Sequence, residues 1–489
     1  MALRIYNTLT RKKDEFIPLQ KKKVTMYCCG ITAYDLSHIG HARAAMVFDV
    51  IFRYLKYRGF TVTYVRNYTD IDDKIINRAN KEGVDCEKIA ERYIKEYEQD
   101  MELLRMEKPT FTPRATSHIK EMINLIERLF AKGYAYISGG DVFYSVSKFK
   151  DYGKLSGKNL EELKLGARVE VDERKSDPLD FVLWKGSKPG EPAWESPWGK
   201  GRPGWHIECS AMSQKYLGDT FDIHGGGMDL IFPHHENEIA QSEGATGKPF
   251  TRYWIHNGFV NINQEKMSKS LKNFLTNREI VSHYYPEVVR IFLLSNHYRS
   301  PVDFSDQNLE EAKSHLERFY VLLKDLKELK SVCTDAATMS TQELEIQKIV
   351  SELLNRFNEA MDDDFNTASA LGHLSFCLRN LNGWINQVKK EERRQIPLSL
   401  VSEVQDTFSK IGQVLGLFLD DPDQYFNQQK VKGLENLNIT EQEITQLIEE
   451  RNKARRKKNW TRADEIRNLL LTKSVILEDT PQGTTWKVK

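Results

Sequence analysis

Four residues in this chain are of types that bind metals, and two of them have a spacing that places both on one face of a helix. His234 and Glu238 lie four residues apart in a segment with a helical pattern, so both side chains project from one helix face. Together with Cys29 and Cys209 they supply an imidazole, a carboxylate and two thiolates, which is a reasonable tetrahedral zinc set. Neighbouring residues offer the same ligand types: Cys28, His235 and Glu236. Buried cysteines beside a capped helix are the alternative, so the residues alone leave both the site and its ligands open.

Two short segments have residue types that suit phosphate chemistry. In His38-Ile39-Gly40-His41, the glycine permits close backbone approach and the imidazoles can donate hydrogen bonds to phosphate oxygens. In Lys266-Met267-Ser268-Lys269-Ser270, two lysines three residues apart could offset charge that develops on a polyphosphate during displacement. The alternatives are two surface histidines near a helix cap and a solvated basic loop.

A glycine-rich segment and a tryptophan are candidates for a nucleoside and pocket site. Asp229 follows His224-Gly225-Gly226-Gly227, where a carboxylate could hold ribose hydroxyls while the glycines admit an adenine ring. Three glycines also mark ordinary tight turns. Trp205 lies just before Cys209 and is either a pocket wall or a core residue.

The C-terminal segment has a local basic character. Arg451 to Arg462 carries seven Lys/Arg and no acid, with Trp460 among them. Cations beside an exposed aromatic ring suit single-stranded RNA, although a solvated helix face is the alternative.

These residues require elements that position them, and the hydrophobic pattern predicts such elements. Val24 to Cys29 reads as a strand, Ala44 to Leu55 as one apolar face of a helix ended by Gly59, and Phe60 to Tyr68 as a second strand. This is a βαβ unit, which brings His38 to His41 to the ligand-binding edge of a parallel sheet and to a helix N-terminus that attracts phosphate.

Further elements are predicted along the chain. Ser117 to Gly133 reads as a helix, and Trp184 to Trp205, with four of the eight tryptophans, as an irregular segment. The next elements are, in order, a strand at Phe221 to His224, a turn at Gly225 to Gly227, a helix at His234 to Ser242, a strand at Tyr253 to Ile262 and a polar loop at Gln264 to Asn273. The C-terminal part comprises a helical region from Leu309 to Leu419, a linker from Asp420 to Lys432, and two helices with a hairpin from Asn436 to Lys489.

Composition limits the class of protein. The 489 residues are 40% hydrophobic and 29% charged, which excludes a disordered or collagen-like chain. No apolar run approaches the roughly 18 residues of a membrane span, and no signal peptide is visible. Six cysteines, two of them adjacent, indicate a reducing, cytoplasmic setting. The net charge of +1 gives no global sign of a nucleic-acid partner, yet Arg451 to Lys489 carries 11 Lys/Arg against 4 Asp/Glu, a local +7.

Taken together, the motifs resemble class I aminoacyl-tRNA synthetases, and specifically the cysteinyl-tRNA synthetase family. The resemblance rests on His38 to His41 and Lys266 to Ser270, and it extends along the whole chain. Four family-specific stretches also match: Met26 to Asp35, Asn67 to Lys74, Gly201 to Ser210 and His224 to Gln241. Departures from the family pattern are Cys28, where relatives usually have an apolar residue, and Lys272 and Ser474, where relatives often have glycine.

The resemblance implies a reaction and a set of site residues. It implies one zinc ion per chain, held by Cys29, Cys209, His234 and Glu238. ATP, as substrate with Mg²⁺, is expected to meet His38, Gly40, His41, Gly226, Asp229, Lys266 and Lys269. L-cysteine is expected to meet Gly30, Thr69 and Trp205. Anticodon contacts of tRNA(Cys) are assigned to Arg455, Lys458, Trp460, Arg462 and Asp464.

The resemblance also implies an architecture. We expect an α/β fold: a Rossmann-type parallel-sheet catalytic domain with an insertion, followed by an α-helical domain and a small α/β C-terminal domain. The expected boundaries are 1–119 and 203–262 for the catalytic domain, 120–202 for the connective insertion, 263–315 for the signature-loop and stem-contact region, 316–430 for the helical domain and 431–489 for the anticodon-binding domain. The family further implies a monomer without a membrane partner.

Three other functions compete with this one. A ligase that joins cysteine to an amino sugar shares the adenylation core but lacks the C-terminal module, so the basic tail argues against it. A non-catalytic tRNA-binding or cysteine-sensing paralogue is disfavoured because both ATP signatures are present. A zinc hydrolase built on His234, His235 and Glu236 would leave the lysine signature and the tail without a role.

Overall fold

The computed structural model describes residues 2–159, 172–262, 265–266, 275–331, 333–334, 338–391, 395–435, 437, 439–480 and 483–488. The helices are α1 (Ile39–Tyr57), α2 (Asp73–Glu82), α3 (Cys86–Leu103), α4 (Ile119–Ala131), α5 (Trp205–Leu217), α6 (Glu236–Thr246), α7 (Asn277–His283), α8 (Pro286–Leu294), α9 (Asp306–Lys330), α10 (Thr341–Asp362), α11 (Thr367–Lys390), α12 (Leu398–Leu415), α13 (Pro422–Glu435), α14 (Glu441–Arg456) and α15 (Trp460–Thr472).

The strands are shorter and form several sheets. They are β1 (Arg4–Asn7), β2 (Lys12–Glu15), β3 (Lys23–Thr32), β4 (Thr61–Thr69), β5 (Ala135–Ser138), β6 (Asp141–Tyr144), β7 (Phe181–Gly186), β8 (Gly201–Pro203), β9 (Phe221–Gly227), β10 (Thr251–Asn257), β11 (Val260–Ile262), β12 (Glu265–Lys266), β13 (Val302–Phe304), β14 (Cys333–Thr334), β15 (Ile396–Pro397), β16 (Val475–Thr480) and β17 (Gly483–Val488).

A four-stranded parallel sheet in the order β10-β9-β3-β4 lies at the centre of the N-terminal half. Strands β3 and β4 are joined by α1, which confirms the predicted βαβ unit. Helix α1 ends at Tyr57 with Arg58 as its C-cap, and Gly59 adopts a left-handed φ of 82° that favours glycine. The parallel strands direct their carboxyl ends to one edge, where the candidate site residues gather.

Strand β9 extends through the three glycines that the sequence predicted to form a turn. Gly225 to Gly227 do not form a turn but continue the strand, paired with Ile255 to Asn257 of β10. A Cβ on Gly225 would lie 2.1 Å from the ring of Phe48, so glycine is needed there for α1 to pack on the sheet. The predicted strand from Tyr253 to Ile262 is likewise two strands, because β11 leaves the central sheet and pairs with β12 and β13.

The insertion is more regular than its composition indicates. Strands β5, β6, β7 and β8 form an antiparallel sheet, so the prediction of an irregular segment from Trp184 to Trp205 is wrong in part. Trp184 is fully buried and pairs with Val142 and Pro203 on the neighbouring strands. Trp184 is therefore part of a hydrophobic core and not of an irregular surface segment.

The C-terminal half is helical and then ends in a small α/β unit. Helices α9 to α12 confirm the predicted helical region. The predicted linker from Asp420 to Lys432 is wrong, because α13 occupies most of it and Tyr425 stacks on Tyr320 at 3.9 Å. The last two helices and the β16–β17 pair agree with prediction and enclose a separate core: Ile439, Ile444, Ile448, Ile466, Leu470 and Val475.

A further observation concerns membranes. Among the described residues, no helix is both long enough and apolar enough to cross a bilayer.

Candidate active site

A buried cluster of metal-binding side chains lies beyond the carboxyl ends of the central strands. The ligand atoms of Cys29, Cys209, His234 and Glu238 all lie within 4.8 Å of one another. Cys29 is on β3 and Cys209 is on α5, and their sulfur atoms are 3.6 Å apart. His234 Nε2 and Glu238 Oε1 are 3.1 Å apart across one helical turn. The fold therefore brings together the four residues that sequence reasoning selected.

A second set of ligand atoms overlaps the first. Cys29 and Glu238 also lie within 4.8 Å of His224 and His235. Of the alternatives left open by the sequence, His235 is thus present, with its Nε2 3.3 Å from Cys29 Sγ. The other two point to different partners: Cys28 Sγ accepts from the Arg66 guanidinium, and Glu236 accepts from the backbone amide of Ser156.

Histidines surround the cluster and orient its members. His224 Nε2 is 2.8 Å from Glu238 Oε2, and His206 Nδ1 is 2.8 Å from His234 Nδ1. His235 Nδ1 is 2.8 Å from His256 Nε2. Such outer partners fix the ring orientation and tautomer of a metal-binding imidazole. No periodic pattern in the sequence singles out His206 or His256, since their contacts join residues on different elements.

Burial and charge shift the pKa values in this cluster in opposite directions. The hydrogen bond from Cys29 lowers the pKa of Cys209 to about 6, so this sulfur is the more readily available thiolate. Burial opposes ionisation of Glu238, but His224 and His234 lower the pKa of its carboxyl well below the usual range. Burial lowers the pKa of His256 to about 3, so this imidazole is neutral. The cluster therefore provides anionic sulfur and oxygen ligands in a dry setting.

The three residues expected to meet the amino acid adjoin this cluster. Gly30 follows Cys29, and a Cβ there would lie 1.6 Å from the carbonyl oxygen of Asn67, so only glycine fits. Trp205 stacks on His234 at 4.2 Å and stays 40% exposed, which suits a pocket wall better than a core. Thr69 ends β4 and is buried.

Thr69 has a partner that the sequence did not single out. Its hydroxyl donates to Glu208 Oε2 at 2.6 Å, and Glu208 is almost fully buried next to Cys209. Burial raises the pKa of this carboxyl well above its usual range, against the opposing effect of the Thr69 hydrogen bond. Because the hydroxyl donates to Glu208, its lone pairs are left to accept from a ligand.

The His38 to His41 segment begins α1 as predicted. Gly40 N donates to His38 Nδ1 at 3.1 Å, and the His38 and His41 rings stack at 3.7 Å. The segment is joined to the region that follows the lysine signature, because Asn277 N donates to the Ser37 carbonyl oxygen at 3.1 Å. The region that follows the lysine signature is therefore attached to the start of α1 through a backbone hydrogen bond.

The other residues expected to meet ATP are Gly226, Asp229, Lys266 and Lys269. Gly226 is in β9, and a Cβ on it would meet the His235 ring at 2.9 Å. Asp229 is exposed in a short 3₁₀ turn after β9. Lys266 belongs to β12, which pairs with β11, whereas Lys269 and Lys272 lie outside the described residues.

Comparisons with known proteins identify the family. Residues 15–314 match the description "tRNA synthetases class I (C) catalytic domain" and residues 356–419 match "DALR domain". Curated relatives include the cysteine–tRNA ligase of Geobacter sulfurreducens, 57% identical over the full length of both chains, and that of Pelobacter propionicus, 56% identical over the same full coverage. This chain belongs to the cysteine–tRNA ligase family.

Solved structures of other class I synthetases share the fold. The methionyl-tRNA synthetase of Mycobacterium tuberculosis, solved with methionyl-adenylate, has a TM-score of 0.64 at 17% identity and covers 81% of this chain and 92% of its own. A protein described as a putative arginyl-tRNA synthetase of Campylobacter jejuni has a TM-score of 0.55 at 14% identity and covers 81% and 94%. This chain therefore has the α/β fold of class I synthetases that was expected from the sequence.

The C-terminal residues assigned to tRNA have mixed environments. Trp460 is 58% exposed at the start of α15, and Lys458 and Asp464 are exposed. Arg455 forms an ion pair with Asp479 at 2.9 Å, and Arg462 forms ion pairs with Glu450 and Glu465. Part of the basic run is thus neutralised within the domain.

Proposed function

We propose that this chain attaches L-cysteine to tRNA(Cys) in an ATP-dependent reaction through a cysteinyl-adenylate. One observation carries the proposal: a buried Cys-Cys-His-Glu set adjoins Trp205 and Thr69 at the sheet edge to which the His38 signature is also attached. An amino-acid pocket with soft ligands beside a phosphate-binding helix N-terminus suits activation of a thiol-bearing amino acid.

In the first step the cysteine carboxylate attacks the α-phosphorus of ATP. A bond forms between the carboxylate oxygen and phosphorus, the bond to the bridging oxygen breaks, and pyrophosphate leaves. His38 and His41 bind phosphate oxygens, and Lys266 and Lys269 stabilise the charge on the departing group. Positioning and charge stabilisation supply the catalysis, since the protein forms no covalent bond with the substrate.

Residues of the pocket hold the amino acid during this step. The Thr69 hydroxyl, oriented by Glu208, accepts a hydrogen bond from the substrate ammonium. Gly30 leaves room for the substrate backbone, and Trp205 covers one side. Gly226 and Asp229 contact the adenosine.

The donor set fits zinc. Two cysteines, a histidine and a glutamate with mutually close ligand atoms match the zinc ligand types, and His206 and His224 act as outer partners. We assign Cys29, Cys209, His234 and Glu238 rather than the overlapping histidine set, because the former supplies two cysteine sulfur ligands. When bound, zinc supplies a soft Lewis acid that prefers the thiolate of cysteine to the hydroxyl of serine. A pocket that selected by size alone would separate these substrates by modest factors.

In the second step a hydroxyl of the terminal adenosine of the tRNA attacks the activated carbonyl and AMP leaves. The exposed Trp460 and Lys458 suit contacts with unpaired anticodon bases and backbone phosphates. The reducing, cytoplasmic location indicated by the cysteines and the monomeric state implied by the family resemblance are part of this proposal.

Two assays on the full-length protein test the function. Cysteine-dependent exchange of labelled pyrophosphate into ATP should occur, followed by charging of a tRNA(Cys) transcript. Serine should support little exchange. Exchange without charging would instead favour the ligase that joins cysteine to an amino sugar, and tRNA binding without exchange would favour the non-catalytic paralogue.

A further inference from the structure

A cavity of 420 Å³ lies between strand β4 and helices α1 and α3, away from the metal-binding cluster. Its lining includes Arg66, Tyr64 and Tyr97 and the apolar side chains of Met101 and Met106. Arg66 precedes Asn67 on β4, and successive side chains of a strand point to opposite faces. Asn67 contacts Cys209 at 3.7 Å, so the Arg66 side of the strand faces away from the cluster.

Arg66 is a buried cation with few partners. It is 6% exposed, donates from Nη1 to the Tyr97 hydroxyl at 3.2 Å and from Nη2 to Cys28 Sγ at 3.6 Å, and its Nε has no hydrogen-bond partner. Its guanidinium also lies 5.5 Å from the centre of the Tyr64 ring. Among the described residues, no carboxylate forms an ion pair with it. A thiol is a weak acceptor, and a buried guanidinium without an anion is costly.

The carboxylates near the cavity are already committed or exposed. Asp49 accepts from Arg53 at 3.0 Å and from Arg290 at 2.6 Å, so two guanidinium groups neutralise it. Glu98 accepts from the Tyr68 hydroxyl at 3.3 Å and is exposed to solvent at the mouth. The inner wall therefore keeps an excess of positive charge.

The charged side chains at the mouth of the cavity do not decide whether an anion or a cation binds. Glu98, Glu102 and Lys108 line it and are all exposed, so solvent screens them. The Tyr64 hydroxyl on the inner wall also has no hydrogen-bond partner, so it is a second buried donor that favours an anion over a cation. Methionine side chains adapt to small apolar groups.

We propose that this cavity binds a small organic carboxylate. Its carboxylate would accept from Arg66 and from the Tyr64 and Tyr97 hydroxyls, and its hydrocarbon part would contact Met101 and Met106. A planar guanidinium matches carboxylate geometry, and the cavity volume is in the range of small-molecule sites. The site does not depend on the proposed aminoacylation, since its residues have no role there.

The proposal is tested by titrating the full-length, zinc-loaded protein with butyrate and measuring binding by calorimetry and saturation-transfer NMR. Butyrate should bind, and butylamine, which has the same hydrocarbon chain with the opposite charge, should not. Arg66→Met should weaken butyrate binding by at least about tenfold, because a hydrogen bond to a charged group is lost. Arg92→Met removes an exposed guanidinium from α3 and should leave butyrate binding unchanged.

A milder variant covers the case in which Arg66→Met does not fold. Tyr97→Phe keeps the ring and removes one hydroxyl, so butyrate affinity should fall about fivefold. The proposal is overturned if butyrate does not bind the wild-type protein, if butylamine binds equally well, or if Arg66→Met and Tyr97→Phe bind butyrate as the wild type does.

Discussion

Cys29 and Cys209 come from distant parts of the chain, yet their sulfur atoms are 3.6 Å apart in a buried site. Residue type and helical spacing made these four residues one possible ligand set, and the family resemblance then selected them over Cys28, His235 and Glu236. The surrounding histidines could not be selected in this way, because His206, His224 and His256 come from three elements and meet their partners only in the folded chain. The sequence can thus indicate which side chains are able to bind a metal, whereas the histidines that contact those side chains are known only from the tertiary structure.

We predict that Cys209→Ser loses zinc. A serine hydroxyl replaces one soft thiolate, and metal affinity should fall by more than about 100-fold, since loss of an outer partner alone costs 10–100-fold. The KM for cysteine in pyrophosphate exchange should rise in parallel. Metal analysis of the purified protein and steady-state kinetics measure the two effects.

The control for this variant is Cys333→Ser, which changes a cysteine of β14 whose thiol donates to the Leu329 carbonyl oxygen at 3.2 Å. It should keep zinc and KM at wild-type values. Normal cysteine activation by zinc-free Cys209→Ser would refute the proposed role of the metal.

The hydrogen bond between Thr69 and Glu208 supports a second prediction at this scale. Thr69→Val removes the hydroxyl that donates to Glu208 at 2.6 Å and should raise the KM for cysteine about five- to tenfold, with a smaller effect on kcat. Thr69→Ser retains the hydroxyl and should stay within about twofold of wild type. Equal KM values for valine and serine variants would remove Thr69 from the amino-acid site.

At the scale of elements, local pattern predicted the βαβ unit and the helical region because the hydrophobic residues of both follow the regular strand and helix periods. It failed where pairing is non-local. Strands β7 and β8 are short and rich in tryptophan, proline and glycine, and the antiparallel sheet around Trp184 gives them their conformation. Helix α13 has a polar composition typical of a linker, but one buried tyrosine attaches it to α9.

We predict that Tyr425→Ala strongly destabilises the protein. Tyr425 is 1% exposed and stacks on Tyr320, so truncation should cost about 3–5 kcal/mol, as for other buried aromatic residues. Thermal unfolding followed by circular dichroism would detect this as a clear drop in Tm. Gln424→Ala, at an exposed position of the same helix, is the matched control. Equal Tm values for the two variants would mean that α13 is not anchored and that the linker interpretation was right.

At the scale of the whole molecule, the net charge of +1 is an average over unequal parts. The segment from Arg451 to Lys489 carries 11 Lys/Arg and 4 Asp/Glu, and the rest of the chain offsets it. The structure refines this further, because Arg451, Arg455 and Arg462 form ion pairs within the domain. A tRNA interacts with local surfaces over a Debye length of about 8 Å, so the exposed cations, and not the total, determine binding.

Lys458 provides the test at this scale. It is exposed between α14 and α15 with a left-handed φ of 57°, so Lys458→Asn removes the charge with a residue that tolerates this backbone conformation. The KM for tRNA(Cys) should rise, and the slope of log KM against log salt should decrease by about 0.7–0.9, the value for one lost phosphate contact. Pyrophosphate exchange should be unchanged, because that step needs no tRNA.

Lys132→Asn, at an exposed position after α4, is the control and should change neither the KM for tRNA(Cys) nor the salt slope. An unaltered salt slope in Lys458→Asn would show that this lysine makes no phosphate contact and that the local charge acts through other residues of the tail.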